Sequence, residues 1–472
     1  MSIKVGVTSL GCAKNLVDSE VILGYLREGG YDICEELDEA QVVIVNTCSF
    51  IRAAEKESGD TIRELVALKR KGELERVIVA GCLPARRGHR LAERFPGVDL
   101  FISPCEIPHV ARLVGGLLTE RPGATPRRPL ANSRGAWFLY DHLSPRVKLS
   151  PRHYAYVKIG EGCSNGCSYC LIPSIKGRRT SREIGSVVEE ARNLASEGVR
   201  ELNLISQDTT SYGIDLYGER RLVELLRGLV EIEGIVWIRI LYGHPAHYTE
   251  DLLRCIAEEP GVCAYVDFPL QHIADPILAS MNRRMTKAGV IERLRSVRSL
   301  VPGVTVRTTF IVGYPGETEA HFRELLEFVG EARFEHLGAF IYSREEKTAA
   351  SALPRQVPHE VKRERFHRLM ALQQEIVQRA NEEMLGRTVE IMVDEKLKEE
   401  SFILRGRTQG DAPEVDGTVY VSEGDAEPGD FVKVRITGVA EYDLVGEIEN
   451  PKPAIRQASP KLARLGRVPN PK

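Results

Sequence analysis

Short apolar runs alternate with amphipathic helical stretches along most of this chain, in two separate blocks. That alternation is the strongest constraint on the fold, because a strand–helix–strand repeat closes as a parallel sheet with helices on its faces. In the first block Ile3–Leu10, Val42–Asn46 and Val77–Gly81 read as strands, with helices over Val17–Glu28 and Arg52–Lys69. In the second block strands are expected near 154–159, 201–206, 236–241, 264–268, 304–312 and 336–342, which suits a partial or complete barrel better than a short open sheet. Between the blocks, TERPGATPRRPLANSRG (119–135) is rich in Pro, Arg and Gly without an apolar period and reads as linker. His359–Leu385 reads as one long polar-faced helix. Beyond it come short β-type runs, Thr388–Val393, Ser401–Leu404, Thr418–Val421, Phe431–Ile436 and Leu444–Ile448, separated by Gly, Asp and Pro. The expected organisation is an α/β multidomain protein. A parallel α/β sheet domain spans 1–118, a linker 119–148, a partial (β/α) barrel 149–386 and a small all-β domain 387–450. The last stretch, 451–472, has six Lys/Arg, five Pro and no acid, so it reads as a basic, disordered tail.

Charge and cysteine usage narrow the function classes. The 472 residues carry 64 Lys and Arg against 67 Asp and Glu, so the chain as a whole is no general polyanion binder. No apolar run approaches the roughly 20 residues of a membrane span, and Met1–Leu10 lacks a signal-peptide core. Membrane, extracellular, fibrous and wholly disordered readings drop out, and a cytoplasmic location is expected. In a reducing compartment ten cysteines are not a disulfide scaffold. Three of them crowd into eight residues, which raises metal chemistry first.

The segment EGCSNGCSYC places Cys163, Cys167 and Cys170 just after the strand at 154–159. Three thiolates on one tight loop, eased by Gly162 and Gly166, can face one soft-metal cluster. Iron–sulfur cubes usually take four cysteines; three leave one iron open. The alternative is a closed zinc site completed by His153 or a distant cysteine, although zinc ligands commonly come in pairs from separated arms. Cys12, Cys48 and Cys82 each follow a strand directly, in TSLGC, VNTC and VAGC. Loops at the carboxyl ends of neighbouring parallel strands converge on one crevice, so these three can meet, with Gly11, Thr47 and Gly81 allowing close approach. The bland alternative is three unrelated core cysteines. Cys34, Cys105, Cys255 and Cys263 lack such company and read as buried or incidental.

The CxxxCxxC spacing after the first strand of a β/α barrel resembles the radical S-adenosylmethionine (SAM) superfamily. The resemblance implies that SAM chelates the open iron and is cleaved reductively to a radical that removes hydrogen from an unactivated carbon, chemistry no general base can do. Tyr169 matches the aromatic position beside the SAM adenine. With three further cysteines before the barrel and a β module after it, the chain resembles the radical-SAM methylthiotransferase family from Gly11-Cys12 to about residue 450. That resemblance implies two [4Fe-4S] clusters, one on Cys163, Cys167 and Cys170, the other an auxiliary cluster on Cys12, Cys48 and Cys82. The auxiliary cluster would carry a sulfide or polysulfide sulfur source, with SAM as both methyl donor and radical source. An electron-donating reductase or flavodoxin is implied as partner, and neither a membrane nor DNA. SQDTTSYG (206–213), DFPLQH (267–272) and FIVGYPGET (310–318) follow barrel strands, where sites are built. They carry Gln207, Asp208, Gln271, Gly313 and Glu317 over as expected cofactor contacts. Arg182 is expected to pair with a carboxylate by its bidentate geometry.

The family has two main branches, one modifying an adenosine in tRNA (MiaB-like) and one an aspartate of a ribosomal protein (RimO-like). The β module resembles a TRAM domain, often an RNA binder. RNA affinity rests on Lys and Arg neutralising phosphates, yet residues 387–450 hold seven Lys/Arg against sixteen Asp/Glu, a net of nine negative charges. Such a module repels a phosphate backbone and attracts a basic protein. SQDTT and RTQGDAPEVDG (407–417) also look RimO-like. The expected activity is therefore β-methylthiolation of an aspartate in small-subunit ribosomal protein twelve. The rival expectations are tRNA adenosine methylthiolation and a non-catalytic zinc-binding ribosome or RNA adaptor.

Overall fold

The computed structural model describes residues 3–34, 36–88, 90–119, 137–398 and 401–449. The basic tail expected over 451–472, and residues 120–136 of the expected linker, lie outside them. Among the described residues no helix is long and apolar enough to cross a membrane.

The first block folds as a five-stranded sheet of β1 (Lys4–Ser9), β2 (Asp32–Ile33), β3 (Val42–Thr47), β4 (Arg76–Gly81) and β5 (Leu100–Phe101). The spatial order is β2-β1-β3-β4-β5, and every pairing is parallel. Successive side chains of β3 point to opposite faces. Val42 and Ile44 pack with Val17 and Val21 of α1 (Ala13–Glu28), while Val43 and Val45 pack with Ile62 and Leu65 of α2 (Arg52–Lys71). Burial on both faces explains the unbroken apolar run in the sequence. The two-residue strands β2 and β5 are too short to leave a pattern.

The second block gives β6 (Tyr154–Lys158), an antiparallel ribbon of β7 (Gly160–Glu161) and β8 (Thr180–Ser181), then β9 (Glu201–Ile205), β10 (Trp237–Ile240), β11 (Tyr265–Asp267), β12 (Thr305–Val312) and β13 (His336–Ile341). Two parallel three-stranded sheets, β6-β9-β10 and β11-β12-β13, are joined through the bridge Ile238–Val262. The long strands therefore form one six-stranded partial barrel. Ala155, Val157, Leu202, Leu204, Ile238, Val306 and Phe310 face the helical layer. The alternate positions, Tyr154, Tyr156, Glu201, Asn203, Arg239 and Arg307, face inward. The long helix His359–Glu382 packs across β13.

The last block is a closed five-stranded barrel of β14 (Thr388–Lys396), β15 (Leu404–Arg407), β16 (Val419–Val421), β17 (Phe431–Ala440) and β18 (Asp443–Ile448), in the order β14-β15-β16-β18-β17. The strand expected at Ser401–Leu404 lies at Leu404–Arg407 instead. Arg405, Gly406 and Arg407 look like a turn, but β15 approaches β14 so closely that a Cβ on Gly406 would stand 2.5 Å from the Met392 carbonyl oxygen. Only glycine fits there.

Residues 408–416, between β15 and β16, run under the amino-terminal ends of the large barrel's strands. Arg239 Nη1 donates to the Gln409 carbonyl at 2.6 Å, Tyr154 Oη to Glu414 at 2.9 Å and Tyr265 Oη to Asp416 at 2.6 Å, while His336 Nε2 meets the Gly410 carbonyl at 2.9 Å. Arg407 ties the two modules together through Glu201 and Asp394, both at 2.8 Å, and Asp394 holds His153 Nε2 at 2.9 Å. His153 thus lies at the opposite end of β6 from the cysteine loop, which removes it as a ligand completing a zinc site there. The expected linker is also more than a spacer in its described part. Arg146 hydrogen-bonds Glu20 of the first domain at 2.8 Å and Glu190 of the barrel at 2.7 Å.

Two outcomes follow from this interface. Arg407→Leu leaves Glu201 with Arg239 alone at 3.0 Å and Asp394 with His153 alone, so the loss is expected at or below the low end of the roughly 3–5 kcal/mol that breaking a buried pair costs; a denaturant titration reads it. His336 faces Asp411, Asp416 and the Gly410 carbonyl from the small barrel, with Arg307 bound to Asp416 beside it. Burial opposes its charge, but these acceptors outweigh burial and push it from 6.5 up to about 9. A raised folded-state value means the stabilisation is complete below about pH 6.5 and fades as pH rises through about 9. The unfolding midpoint of the wild type is expected to fall across that window relative to His336→Gln, whose profile stays flatter.

Candidate active site

The first domain delivers three thiols to one edge, at the carboxyl ends of three adjacent strands. Cys12 caps α1, Cys48 follows β3, and Cys82 opens the short helix α3 (Cys82–Arg87). Gly11 and Gly81, each with φ near +90°, make this possible. A Cβ on Gly11 would stand 2.6 Å from the Cys48 Cβ and 3.0 Å from its sulfur, and one on Gly81 would stand 2.3 Å from Asn46 Oδ1. The left-handed turn brings each strand end sharply into its helix and presents the cysteine at the start. Asn15 stitches the edge together: its side-chain nitrogen donates to the Leu10 and Thr47 carbonyls at 2.9 Å, and its oxygen lies 3.7 Å from the Cys82 sulfur.

The three thiols differ electrostatically. Burial works against a thiolate at Cys12, yet the ammonium groups of Lys14 and Lys176 and the backbone N–H groups of Asn15 and Lys14 hold it below its ordinary value. Burial instead raises Cys48, and pushes Cys82 up to about 12. Cys12 nevertheless retains an exposed surface.

Cys163, Cys167 and Cys170 occupy the loop beyond β7, at the carboxyl end of the barrel. Gly162 (φ +72°) turns the chain into this loop, as Gly11 and Gly81 do in the first domain. Each sulfur receives one N–H donor: Asn165 N on Cys163 at 3.4 Å, Arg283 Nη1 on Cys167 at 3.5 Å and Ile172 N on Cys170 at 3.4 Å. Donors aimed at every sulfur are the surroundings that thiolate-held iron–sulfur clusters have. The residues present therefore fit such a group. Among the described residues no three His, Cys, Asp or Glu side chains are gathered to hold a single metal ion.

The two stations meet across the domain boundary. Cys82 packs against Leu171 and Ile175, directly after Cys170, with Trp137 alongside. Lys14 reaches the Ser206 carbonyl after β9 at 3.4 Å and lies 3.2 Å over the Tyr242 ring after β10. Buried Lys158 binds Asp18 of α1 and, at 2.9 Å, Glu161 of the ribbon. Glu161 in turn lies 3.1 Å from Lys176. Burial opposes the Glu161 carboxylate, but these two ammonium groups outweigh it and hold the carboxyl far below its usual range. On the other side Arg86 of α3 pairs with Glu345, beyond β13, at 2.7 Å.

The expected cofactor contacts divide into two groups. Asp208 braces the cysteine loop. It accepts from Asn165 at 2.7 Å, Arg179 at 3.1 Å and Ser211 at 2.8 Å, and sits 2.9 Å from His247. Gln207 donates to Glu161 and leaves its buried Oε1 without a partner. Tyr169 is half-buried and packs with Ile277, Met281 and Tyr314. Gln271 sits at φ +74°, its backbone bridging to β12. Two others have partners within the chain. The carboxylate that Arg182 serves is Glu190, with the Ser186 hydroxyl at 3.0 Å, so its guanidinium supports the barrel wall. Glu317 is closed off by Arg365 at 2.7 Å and by the Gly313 N–H at 2.8 Å. Gly313 has its own steric reason, since a Cβ would stand 2.2 Å from the Lys362 side chain. Sequence reasoning missed Lys14, Lys158, Lys176 and Arg283. Each is a single basic residue or part of a short basic run, with no pattern to separate it from a solvated one.

Comparison with known proteins finds a match for each of the three modules. Residues 4–103 match the uncharacterized protein family UPF0004, residues 157–329 the radical SAM superfamily and residues 385–448 the TRAM domain. A protein of Heliobacterium modesticaldum named ribosomal protein uS12 methylthiotransferase RimO is 46% identical over 447 residues, covering 95% of each chain. The Clostridioides difficile protein of the same name is 42% identical, covering 94% of this chain and 99% of its own. Among solved structures, the radical S-adenosylmethionine methyltransferase TsrM of Kitasatospora setae, with tryptophan and a SAM analogue bound, shares the fold at a TM-score of 0.53. It is 17% identical, covering 72% of this chain and 73% of its own. Identity of this extent, running through all three modules, places the chain in the RimO family of radical-SAM methylthiotransferases.

Proposed function

We propose that this protein methylthiolates ribosomal protein uS12, the small-subunit protein twelve, replacing one hydrogen on the β-carbon of a specific aspartate. The observation that carries the reading is the meeting of two three-thiol stations at one barrel mouth. The names of its relatives support the substrate. The acidic small barrel supports it too. Asp394, Asp411, Asp416 and Arg407 face the large barrel, and the exposed remainder, including Asp425, Glu427 and Glu441, stays mainly acidic. That charge draws a basic protein and disfavours a phosphate backbone.

In this reading Cys163, Cys167 and Cys170 hold one [4Fe-4S] cluster with SAM, and Cys12, Cys48 and Cys82 hold a second. When bound, these groups supply one-electron cleavage of SAM, hydrogen removal and the incoming sulfur. The chain's own residues position and insulate. Asn165, Ile172 and Arg283 direct N–H groups at the sulfurs. Asp208 and His247 fix the loop that carries Asn165. Gln207, Tyr169 and Gln271 are the SAM-side contacts, and Gly313 keeps room for the loop after β12. Arg182 and Glu317 act from behind this wall. The sulfur is held as sulfide or polysulfide, a reductase or flavodoxin donates electrons, and the protein works in the cytoplasm.

Two measurements test the reading. Reconstituted protein incubated with SAM, reductant, uS12 and tRNA is expected to add one methylthio group to uS12 and none to tRNA by mass spectrometry; the reverse would establish the tRNA-modifying alternative. Cys163→Ala is expected to abolish 5′-deoxyadenosine formation. Cys48→Ala retains it while product formation stops, and methylthiolated uS12 from Cys48→Ala refutes the auxiliary role.

A further inference from the structure

The large barrel is a partial one, and its two outer strands, β6 and β13, are finished differently. Register with β9 turns the backbone of Tyr154, Tyr156 and Lys158 toward the open side of β6, and the chain itself covers that side. Lys148 Nζ donates to the Tyr154 carbonyl at 2.9 Å, Arg146 Nη2 to the Tyr156 carbonyl at 2.8 Å and Arg182 Nη1 to the Lys158 carbonyl at 3.2 Å. The Lys158 N–H donates to Tyr140 Oη at 3.2 Å. On β13 the even-numbered residues pair with β12, as the Tyr342 N–H does with the Val312 carbonyl at 2.9 Å. The N–H and C=O groups of Leu337, Ala339 and Ile341 therefore point the other way, and none of them has a partner among the described residues. An unpaired strand edge is a template for another strand, which is why proteins commonly cover or blunt it. Here one edge is covered and the other is bare.

The side chains of Leu337, Ala339 and Ile341 pack under the helical layer, whereas His336, Gly338 and Phe340 share the inward face with Arg307, Thr309 and Ile311 of β12. Phe340 is 58% exposed, more than any other aromatic side chain among the described residues. Its cross-strand neighbour Ile311 packs in one cluster with Tyr169 of the cysteine loop. A Cβ on Gly338 would meet only Thr309 Oγ1, at 3.9 Å, so there is open space before this strand. At its foot His336 lies 3.3 Å from Asp411. Asp411 and Asp443 flank Gly417, 3.5 and 4.0 Å from where its Cβ would stand, and exposed Glu441 is two residues from Asp443. The bare edge thus runs from an acidic foot toward the mouth where the cysteine loop stands.

We propose that this edge of β13 takes an extended, basic segment of the protein substrate as an added strand, bonded to the backbone of Leu337, Ala339 and Ile341 and packed on Phe340. The inference rests on the reading that the substrate is a protein. Edge pairing needs a partner with alternating N–H and C=O groups, which a polypeptide has and a nucleic acid lacks. The acids at the foot favour a basic chain. Main-chain bonds hold any extended segment; Phe340 and the acidic foot select which one.

The test is hydrogen exchange. Full-length protein carrying both clusters is incubated with SAM, and exchange over residues 336–342 is read at single-amide resolution with and without uS12. Alone, the amides of Leu337, Ala339 and Ile341 are expected to exchange fast and those bonded to β12 slowly. Saturating uS12 slows the three by about tenfold or more, and tRNA leaves them unchanged. Ala339→Pro deletes an N–H that β12 does not use, a change an edge strand accepts. It is expected to weaken uS12 binding by about tenfold, with Ala339→Gly within about twofold of wild type. Exchange of the three amides unaltered by saturating uS12 overturns the proposal, as does wild-type affinity in Ala339→Pro. Should Ala339→Pro fail to fold, exchange in the wild type decides alone. Methylthiolation of uS12 with the edge unprotected sinks this docking mode and leaves the substrate reading standing; methylthiolation of tRNA in place of uS12 sinks both.

Discussion

The structure depends on a run of buried charges that joins the first domain to the barrel: Asp18, Lys158, Glu161 and Lys176. Taking four charges out of water is costly, and the balance is favourable only when each charge has an opposite neighbour in good geometry. That requirement fixes the position of α1 against the ribbon β7–β8 far more narrowly than apolar packing could, because a slide that an oily interface tolerates would leave a charge unpaired. Cys12 begins α1, and Cys163 follows directly on β7. The same contacts that dock two domains therefore set the relation between their cysteine stations. Arg146, bound to Glu20 and Glu190, and Arg86, bound to Glu345, close the frame on two other sides.

One local device recurs at the stations. A glycine with positive φ precedes Cys12, Cys82 and Cys163, and ends an extended segment so abruptly that the cysteine projects from the start of the next element. Cys48 has Thr47 instead, whose hydroxyl donates to the Ala80 carbonyl and ties two strand ends together. A metallocluster needs its ligands held before it arrives, and backbone turns of this kind hold them without relying on side-chain packing.

Much of this was legible in the sequence. The strands of both β/α blocks announce themselves because burial on two faces leaves unbroken apolar runs, as in VVIVNT. The cysteine stations stand out because each falls immediately after such a run. Illegible were the contacts made by single charged residues across long sequence separations. Lys158 meets Asp18 across 140 residues, and Arg283 meets Cys167 across 116. Neither lysine nor arginine carries a local mark of burial. The same blindness misplaced β15, where a Gly between two arginines resembles a turn although one of those arginines is a buried interdomain anchor, and it left the pairing of Arg182 with the chain's own Glu190 unseen.

The segment 408–416 gives the small terminal barrel a second character. Its backbone carbonyls and carboxylates meet Arg239, Tyr265 and His336, which would otherwise end in an open well. The module is thus the floor of the enzyme as well as an appendage to it. Chimaeras that exchange this module between branches of the family must carry matching residues at both levels, the nine residues of the floor and the bases of the strands above. A graft that changes only the outward face could redirect partner choice, whereas one that cuts at the module's edge would leave the large barrel bottomless.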